Sequence, residues 1–359
     1  MEACIGNKSN CSEELKLPLA LFAVERDSKK RLLFDVSSRK VRGINSSVFQ
    51  DATCAFENGG WLLMIQHKSK YSQEQTLFLV HPCSGRRLDL PVVPSSDKGF
   101  FMFYINSCGT PLVVAHIVIW SLVPTIHIAC PGDLYWSVYQ HDAEPPCMSE
   151  SMCKLVEPTC IVDVALLGTQ AICLDRNGQI MIFSITEMTW RRMGSCPPEC
   201  SERDHHFLVT SNGEAVLVSG SLMMENAFKF LKLNLEALEW SPLDDWELDD
   251  TSWFLRKGQS FCVKEVGKRK VYVFSGPEQF MKSLTENSNG TSAHDTLKSI
   301  TNAYAFDLDD GSAEMLIPAS IVTEVRHWIR PAVLTNPMQG KNIVFVKSGF
   351  TFPSLILHP

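Results

Sequence analysis

The chain lacks the features that would assign it an activity at sight. It contains no Gly-x-Ser-x-Gly elbow, no Walker loop, no Gly-x-Gly-x-x-Gly turn and no His-Glu-x-x-His pair. The common machineries for acyl transfer, nucleotide binding and zinc proteolysis are therefore not spelled out, and the expectation is a non-enzyme without a cofactor. Basic residues are also short: 33 Lys+Arg stand against 40 Asp+Glu, for a net charge of −7, and no basic block is present. Phosphate binding rests on clustered Lys and Arg, so nucleic acid is excluded as a partner. No leader is evident: the first 20 residues carry Glu2, Glu13 and Glu14 and no Arg. The 13 cysteines are an odd number scattered through apolar stretches, which is unlike a disulfide framework. Together these features point to the cytoplasm or nucleus.

The remaining composition, 45% hydrophobic and 20% charged, is that of an ordinary globular chain. One uncharged run of 18 residues, Leu112 to Ala129, reaches the length of a membrane helix. It is rich in β-branched residues, is interrupted by Ser121 and Pro124, and carries His116 and His127 symmetrically about the break. Two buried strands joined by a turn fit this pattern, and no membrane contact is expected.

The positive signal is a repeat of about fifty residues. Trp136, Trp190 and Trp240 lie 54 and 50 residues apart, each closing a unit of apolar strand, turn, second apolar strand, short turn and Trp strand. In residues 59–91 Leu88 occupies the Trp place. The turn after the second apolar strand recurs at Asp35, His81, Cys130, Ser184, Asn234 and Asp307, with spacings of 46, 49, 54, 50 and 73. The last interval holds the polar stretch 278–300, read as a mobile insert. Strand-rich units of this length predict an all-β, single β-propeller over residues 18–359, with six blades and seven as the alternative. Residues 1–17 are read as a disordered segment. The strand near Leu19–Val24 and strands near Ile343–Val346 are expected to complete a shared blade.

Several segments, spread over residues 18–331, then resemble one family. They are Gly60-Trp61-Leu62-Leu63, LFLVHPCSGRRLDLP (77–91), ELDDTSWFLRKGQSFCV (247–263), KVYVFSG (270–276), AYAFDLDDGS (303–312) and HWIRP (327–331). This ordered set is similar to the plant F-box/kelch-like proteins whose C-terminal region is a domain of unknown function. The resemblance implies a kelch-like β-propeller that binds another protein. In intact members an N-terminal F-box docks on the Skp1-type adaptor of a cullin ubiquitin ligase, and the propeller presents the target. Residues 1–17 are too few for a helical F-box, so adaptor binding by this chain alone is not expected. Two alternatives stay open: a ubiquitin-ligase receptor whose adaptor contact comes from a partner, and a propeller enzyme with a site in its central channel.

The candidate partner-binding residues are Asp244, Asp245, Trp246, Glu247, Asp249 and Asp250, an acidic run around an aromatic anchor suited to a basic protein partner. No metal site is assigned. Cys196 and Cys200 followed by His205 and His206 have a spacing that zinc would tolerate, but the segment lies between blades and reads as a loop with incidental thiols. Trp190 and Trp240 are expected in the core, and Trp246 at the surface.

Overall fold

The computed structural model describes residues 19–23, 31–36, 39–45, 52–67, 75–82, 84–93, 99–141, 159–195, 205–211, 213–220, 228–237, 239–275, 302–316, 324–329, 344–347 and 356–357. Segment 1–17, the insert 278–300, and Cys196 and Cys200 lie outside them.

Along the chain the strands fall into successive groups. The first holds β1 (Leu19–Ala23), β2 (Arg31–Asp35) and β3 (Lys40–Asn45). The second holds β4 (Ala52–Asn58), β5 (Trp61–His67), β6 (Gln75–His81) and β7 (Arg86–Asp89). The third holds β8 (Gly99–Ile105), β9 (Pro111–Val118), the short β10 (Trp120–Ser121), β11 (Thr125–Ala129) and β12 (Ser137–Gln140). The fourth holds β13 (Thr159–Leu167), β14 (Gln170–Asp175), β15 (Gln179–Ser184) and β16 (Thr189–Ser195). The fifth holds β17 (His205–Ser211), β18 (Glu214–Gly220), β19 (Phe228–Asn234) and β20 (Glu239–Pro242), and is followed by one helical turn, α1 (Asp245–Leu248). The sixth holds β21 (Thr251–Leu255), β22 (Ser260–Lys264), β23 (Arg269–Ser275), β24 (Asn302–Asp307) and β25 (Ala313–Met315). The last strands are β26 (Glu324–Ile329), β27 (Val344–Lys347) and β28 (Ile356–Leu357).

The first five groups curl into antiparallel meanders, apart from β10, which pairs with β13, whereas in the sixth β21 pairs antiparallel with β22 and parallel with β23. One sheet unites both ends of the chain in the order β26-β1-β2-β3-β27, as the shared blade requires. The ten-stranded sheet joins the fifth and sixth groups only through the parallel pairs Val209↔Ser260 and Thr210↔Phe261 between β17 and β22. The leading strands pack side by side around an axis: β26 on β4, β4 on β8, β8 on β13, β13 on β17 and β17 on β22. This is the β-propeller expected from the repeat.

Most strands are buried on both faces, because each sheet is sandwiched between neighbours. On β18, Ala215 and Leu217 join a core shared with Ile172, Leu174 and Leu208, while Val216 and Val218 turn to another with Trp253, Val271 and Phe306. A period-2 strand thereby feeds two cores at once, which explains its continuous apolar reading. The uncharged run 112–129 becomes β9, β10 and β11 by the same logic. His116 and His127 stand opposite each other, with their Nδ1 atoms 3.4 Å apart and His116 stacked on Phe101. No helix among the described residues is long and apolar enough to cross a membrane.

The repeat markers occupy equivalent places. His81, Ser184, Asn234 and Asp307 end β6, β15, β19 and β24, and each side chain accepts a backbone N–H from the turn that follows. Leu88, Trp190 and Trp240 pair with Leu79, Phe183 and Leu233 on the adjacent strand. Trp190 and Trp240, expected in the core and buried between their own sheet and a neighbour, do pack against their core clusters but are only half-buried. The physical reason is their place on the outermost strand of the blade, where the next sheet covers only one side. Trp136 and Trp190 instead clamp blade to blade. The Trp136 indole donates to the Pro91 carbonyl, and that of Trp190 to the Tyr139 carbonyl, each at 3.3 Å and one repeat upstream.

Candidate functional site

The segment Glu247–Val263, part of the family resemblance, contains two polar sites at opposite ends of β21. At its N-terminal end lies α1, which sets the acidic run at the surface. Glu247 accepts the Asp244 backbone N–H at 3.0 Å, while its own N–H returns to the Asp244 carbonyl at 2.9 Å, so the turn is closed reciprocally. Leu248 is the buried residue that docks the turn onto the core. Asp250 takes a left-handed conformation, φ +53°, which Asp tolerates, and its carboxylate accepts the Gly267 N–H at 2.6 Å. Arg269 gathers Asp245 at 3.4 Å, Asp249 at 3.7 Å and Asp309 at 3.5 Å. Lys232 reaches Glu247 at 3.5 Å. The carboxylates are therefore not equivalent: Glu247 and Asp250 hold the backbone, whereas Asp244 and Asp245 stand outward beside Trp246. Trp246 is 68% exposed, and its indole N–H donates to Asp244 at 3.1 Å.

At the other end of β21 the turn Arg256–Ser260 enters the propeller axis. Gly258 donates its N–H to Asp163 at 2.5 Å, and Gln259 donates its side-chain N–H to the Glu57 carbonyl at 3.0 Å. The turn thus ties the sixth group to β13 and β4 across the channel. Gly258 has φ +81°, and a Cβ there would meet the Phe100 ring at 2.7 Å, so only glycine fits. Ser260 closes the turn by accepting the Arg256 N–H at 3.0 Å and donating to the Arg256 carbonyl at 2.9 Å.

Asp163, fully buried on β13, is the hub. Besides Gly258, it accepts the Leu208 N–H at 2.8 Å and the Val164 N–H at 2.9 Å, linking β13, β17 and the axial turn. Those bonds favour the carboxylate, but burial outweighs them and pushes its pKa up to about 7. Arg256 lies close enough to feel both Asp163 and Cys54, and its own burial lowers its pKa. Burial also raises the thiols of Cys54 and Cys173, which leaves them protonated and inert.

Beside the turn is a cavity of about 60 Å³ lined by Glu57, Thr210, Gln259 and Ser260 together with the apolar wall of Phe56 and Val164. Gln259 is 5% exposed, and its side-chain oxygen has no hydrogen-bond partner among the described residues. Leaving such an oxygen unmet costs about 1–3 kcal/mol. Among the described residues, no group of three His, Cys, Asp or Glu side chains is placed to hold a metal. The sequence reading singled out the acidic run and missed the axial turn. Its signal, the Lys257-Gly258-Gln259 interruption between two strands, reads locally as an ordinary hairpin.

Comparison with known proteins completes the description. No curated protein matches the chain. Among solved structures it is similar to a structural genomics protein of unknown function from Bacteroides thetaiotaomicron VPI-5482, at 10% identity and TM-score 0.33, covering 65% of this chain and 58% of that one. It is also similar to the Neurospora crassa Pan2 WD40 domain, at 10% identity and TM-score 0.36, covering 76% and 68%. A third is apo AztD from Citrobacter koseri, at 8% identity and TM-score 0.36, covering 69% and 76%. The chain spans less than two thirds of the Bacteroides protein. The sequence pattern of the KIB1-4 β-propeller family matches residues 33–274, from β2 into β23 and across both polar sites. With more than half of its length matched, the chain belongs to the KIB1-4 β-propeller family.

Proposed function

We propose that this propeller is a non-catalytic protein-interaction module that engages a basic partner through Asp244, Asp245, Trp246, Glu247, Asp249 and Asp250. The observation that carries the reading is Trp246, a large aromatic 68% exposed on a turn whose backbone is held closed from within. Aromatic anchors ringed by charge are the groups that dominate interface energetics, and the surrounding carboxylates steer a cationic partner. Membership of a propeller family supports a protein as the partner. The finer reading, drawn from the resemblance to F-box/kelch-like proteins, is a target-presenting propeller in ubiquitination, with the Skp1-type adaptor contact supplied by another chain. Its place of action is the cytoplasm or nucleus, without nucleic acid or membrane.

The test is capture with immobilised wild-type chain and with a Trp246→Ala/Asp245→Asn variant. A partner retained at low salt, released at high salt and lost with the variant supports the reading. An unchanged set of captured proteins, with the variant melting like wild type, overturns it. A second reading, an enzyme working in the channel, is favoured by one observation, the convergence of Glu57, Thr210 and Gln259 at the axis.

A further inference from the structure

The connection between β9 and β11 leaves its own sheet. Its strand β10 pairs with β13 of the fourth group, Trp120 opposite Cys160 and Ser121 opposite Thr159, and the Ile161 N–H donates to the Ile119 carbonyl at 2.9 Å. The turn beyond is fixed from within, since Ser121 and Thr125 both donate to the Val123 carbonyl. This braced connection nevertheless exposes two large apolar side chains, Trp120 at 50% and Leu122 at 72%. On the other side of Cys160, the Arg176 N–H donates to the Cys160 carbonyl at 2.8 Å, in the β14–β15 turn that Asp175 closes by accepting the Gln179 N–H at 2.7 Å. From there the Arg176 side chain reaches across β13 and lays its guanidinium over the Trp120 ring, 4.7 Å from the centroid. Arg39, Arg87, Arg191 and Arg269 each hold a carboxylate, whereas the exposed Arg176 has no ion pair among the described residues. The indole N–H groups of Trp61, Trp136, Trp190 and Trp246 each meet a protein acceptor, and that of Trp120 meets none among the described residues. Stacking occupies the face of a guanidinium and leaves its in-plane donors free for a planar oxyanion.

We infer that Trp120, Leu122 and Arg176 form a docking surface for an acidic segment of a partner protein. One Asp or Glu carboxylate of that segment accepts the guanidinium fork of Arg176, and a neighbouring aliphatic side chain lies on Trp120 and Leu122. Charge complementarity selects the occupant. The charged group beside these two apolar side chains is an unpaired cation, which repels a basic segment and attracts an acidic one. Phosphorylated motifs are read by clusters of Arg, so a single guanidinium suits a single carboxylate. The surface belongs to the third and fourth groups, whereas α1 follows the fifth, and it does not rest on the basic-partner reading.

The test titrates the full chain, isotope-labelled, with two blocked pentapeptides, one alternating Leu and Glu and the other with Gln in place of Glu. Saturable shifts of the Trp120 indole N–H signal are expected with the acidic peptide, at an affinity about tenfold above that of the Gln peptide, the gain from a charge-assisted hydrogen bond. Arg176→Gln should bring the acidic peptide down to the affinity of the Gln peptide, while Arg191→Gln, another exposed arginine of the same group, leaves it unchanged. Equal affinity for the two peptides, no saturable shift with either, or an equal loss from both arginine variants overturns the proposal. Sodium acetate and sodium phosphate separate the sources. Unsaturated shifts with both salts, at concentrations where the acidic peptide saturates, support a protein segment. Acetate binding as tightly as the peptide overturns it in favour of a free carboxylate, and tighter binding of phosphate overturns it in favour of a phosphorylated ligand.

Discussion

The two ends of β21 make an instructive pair. Five residues of strand, roughly 17 Å, separate an acidic turn that stays in solvent from a basic and polar turn that enters the axis. Both are polar in composition, yet one has Trp246 exposed and the other surrounds the buried hub Asp163. The difference arises from which end of the strand meets the other blades. At the N-terminal end the sheet fans outward, and carboxylates are satisfied by neighbours such as Arg269 and by water. At the C-terminal end strands of several groups crowd together, and polar atoms there depend on protein partners, as Gly258 does on Asp163.

The sharpest test of this contrast uses two tryptophans seven residues apart. Trp253, 1% exposed on β21 against Phe230, should lose about 3–5 kcal/mol on replacement by Ala. Trp246→Ala should change stability by less than about 0.5 kcal/mol. Thermal melts check both, and comparable losses would erase the distinction between the two ends.

Next in size is Asp163→Ala, which strands the amides of Val164, Leu208 and Gly258 in the interior. A loss of about 3 kcal/mol or more is expected in denaturant titrations. The pH dependence sharpens the point. The folded-state pKa, about 7, lies above the ordinary carboxylate value of 3.8, so the folded chain binds the proton more tightly than the unfolded chain does. That contribution is fully present below about pH 4 and is lost as pH rises through 7, with a slope of at most about 1.4 kcal/mol per pH unit. Melts of wild type and Asp163→Asn between pH 5 and 8 should differ by this slope, and parallel profiles would show that Asp163 does not titrate in the range.

Gly258→Ala comes third. It forces a left-handed backbone on a side chain that meets Phe100, and should lose about 2 kcal/mol. The same change at Gly267, beside the acidic turn, has φ +72° but nothing within 4 Å, so only the backbone strain of about 1 kcal/mol remains. A further, smaller difference separates Trp240 from Trp253. Half-buried at the outer edge, Trp240→Ala should cost about 1–2 kcal/mol, below the loss for a fully buried aromatic.

Much of this architecture was legible in the chain. The spacing of Trp136, Trp190 and Trp240 marks the outer strand of successive blades, because a meander of fixed length returns the same position to the same place. The turn markers were equally readable, since Ser184, Asn234 and Asp307 close their turns through local side-chain bonds. His116 and His127, symmetric about a break, had to face each other once the break became a turn. The acidic run was visible as charge, although which of its carboxylates brace the turn depended on Arg269 and Lys232 from other strands and on Gly267 in the turn between β22 and β23.

The axial turn is the counterexample. Nothing in Gly258-Gln259-Ser260 announces burial, and Asp163 looks like one polar residue in an apolar strand. Their meeting joins positions 95 residues apart, and Gln259 reaches Glu57 across 202. The repeat period and the polarity of each turn are local properties, carried by nearby residues and readable along the chain. Which polar turn points to solvent and which points to the axis is decided only when the ring closes, because burial belongs to the assembled blades and not to any one of them.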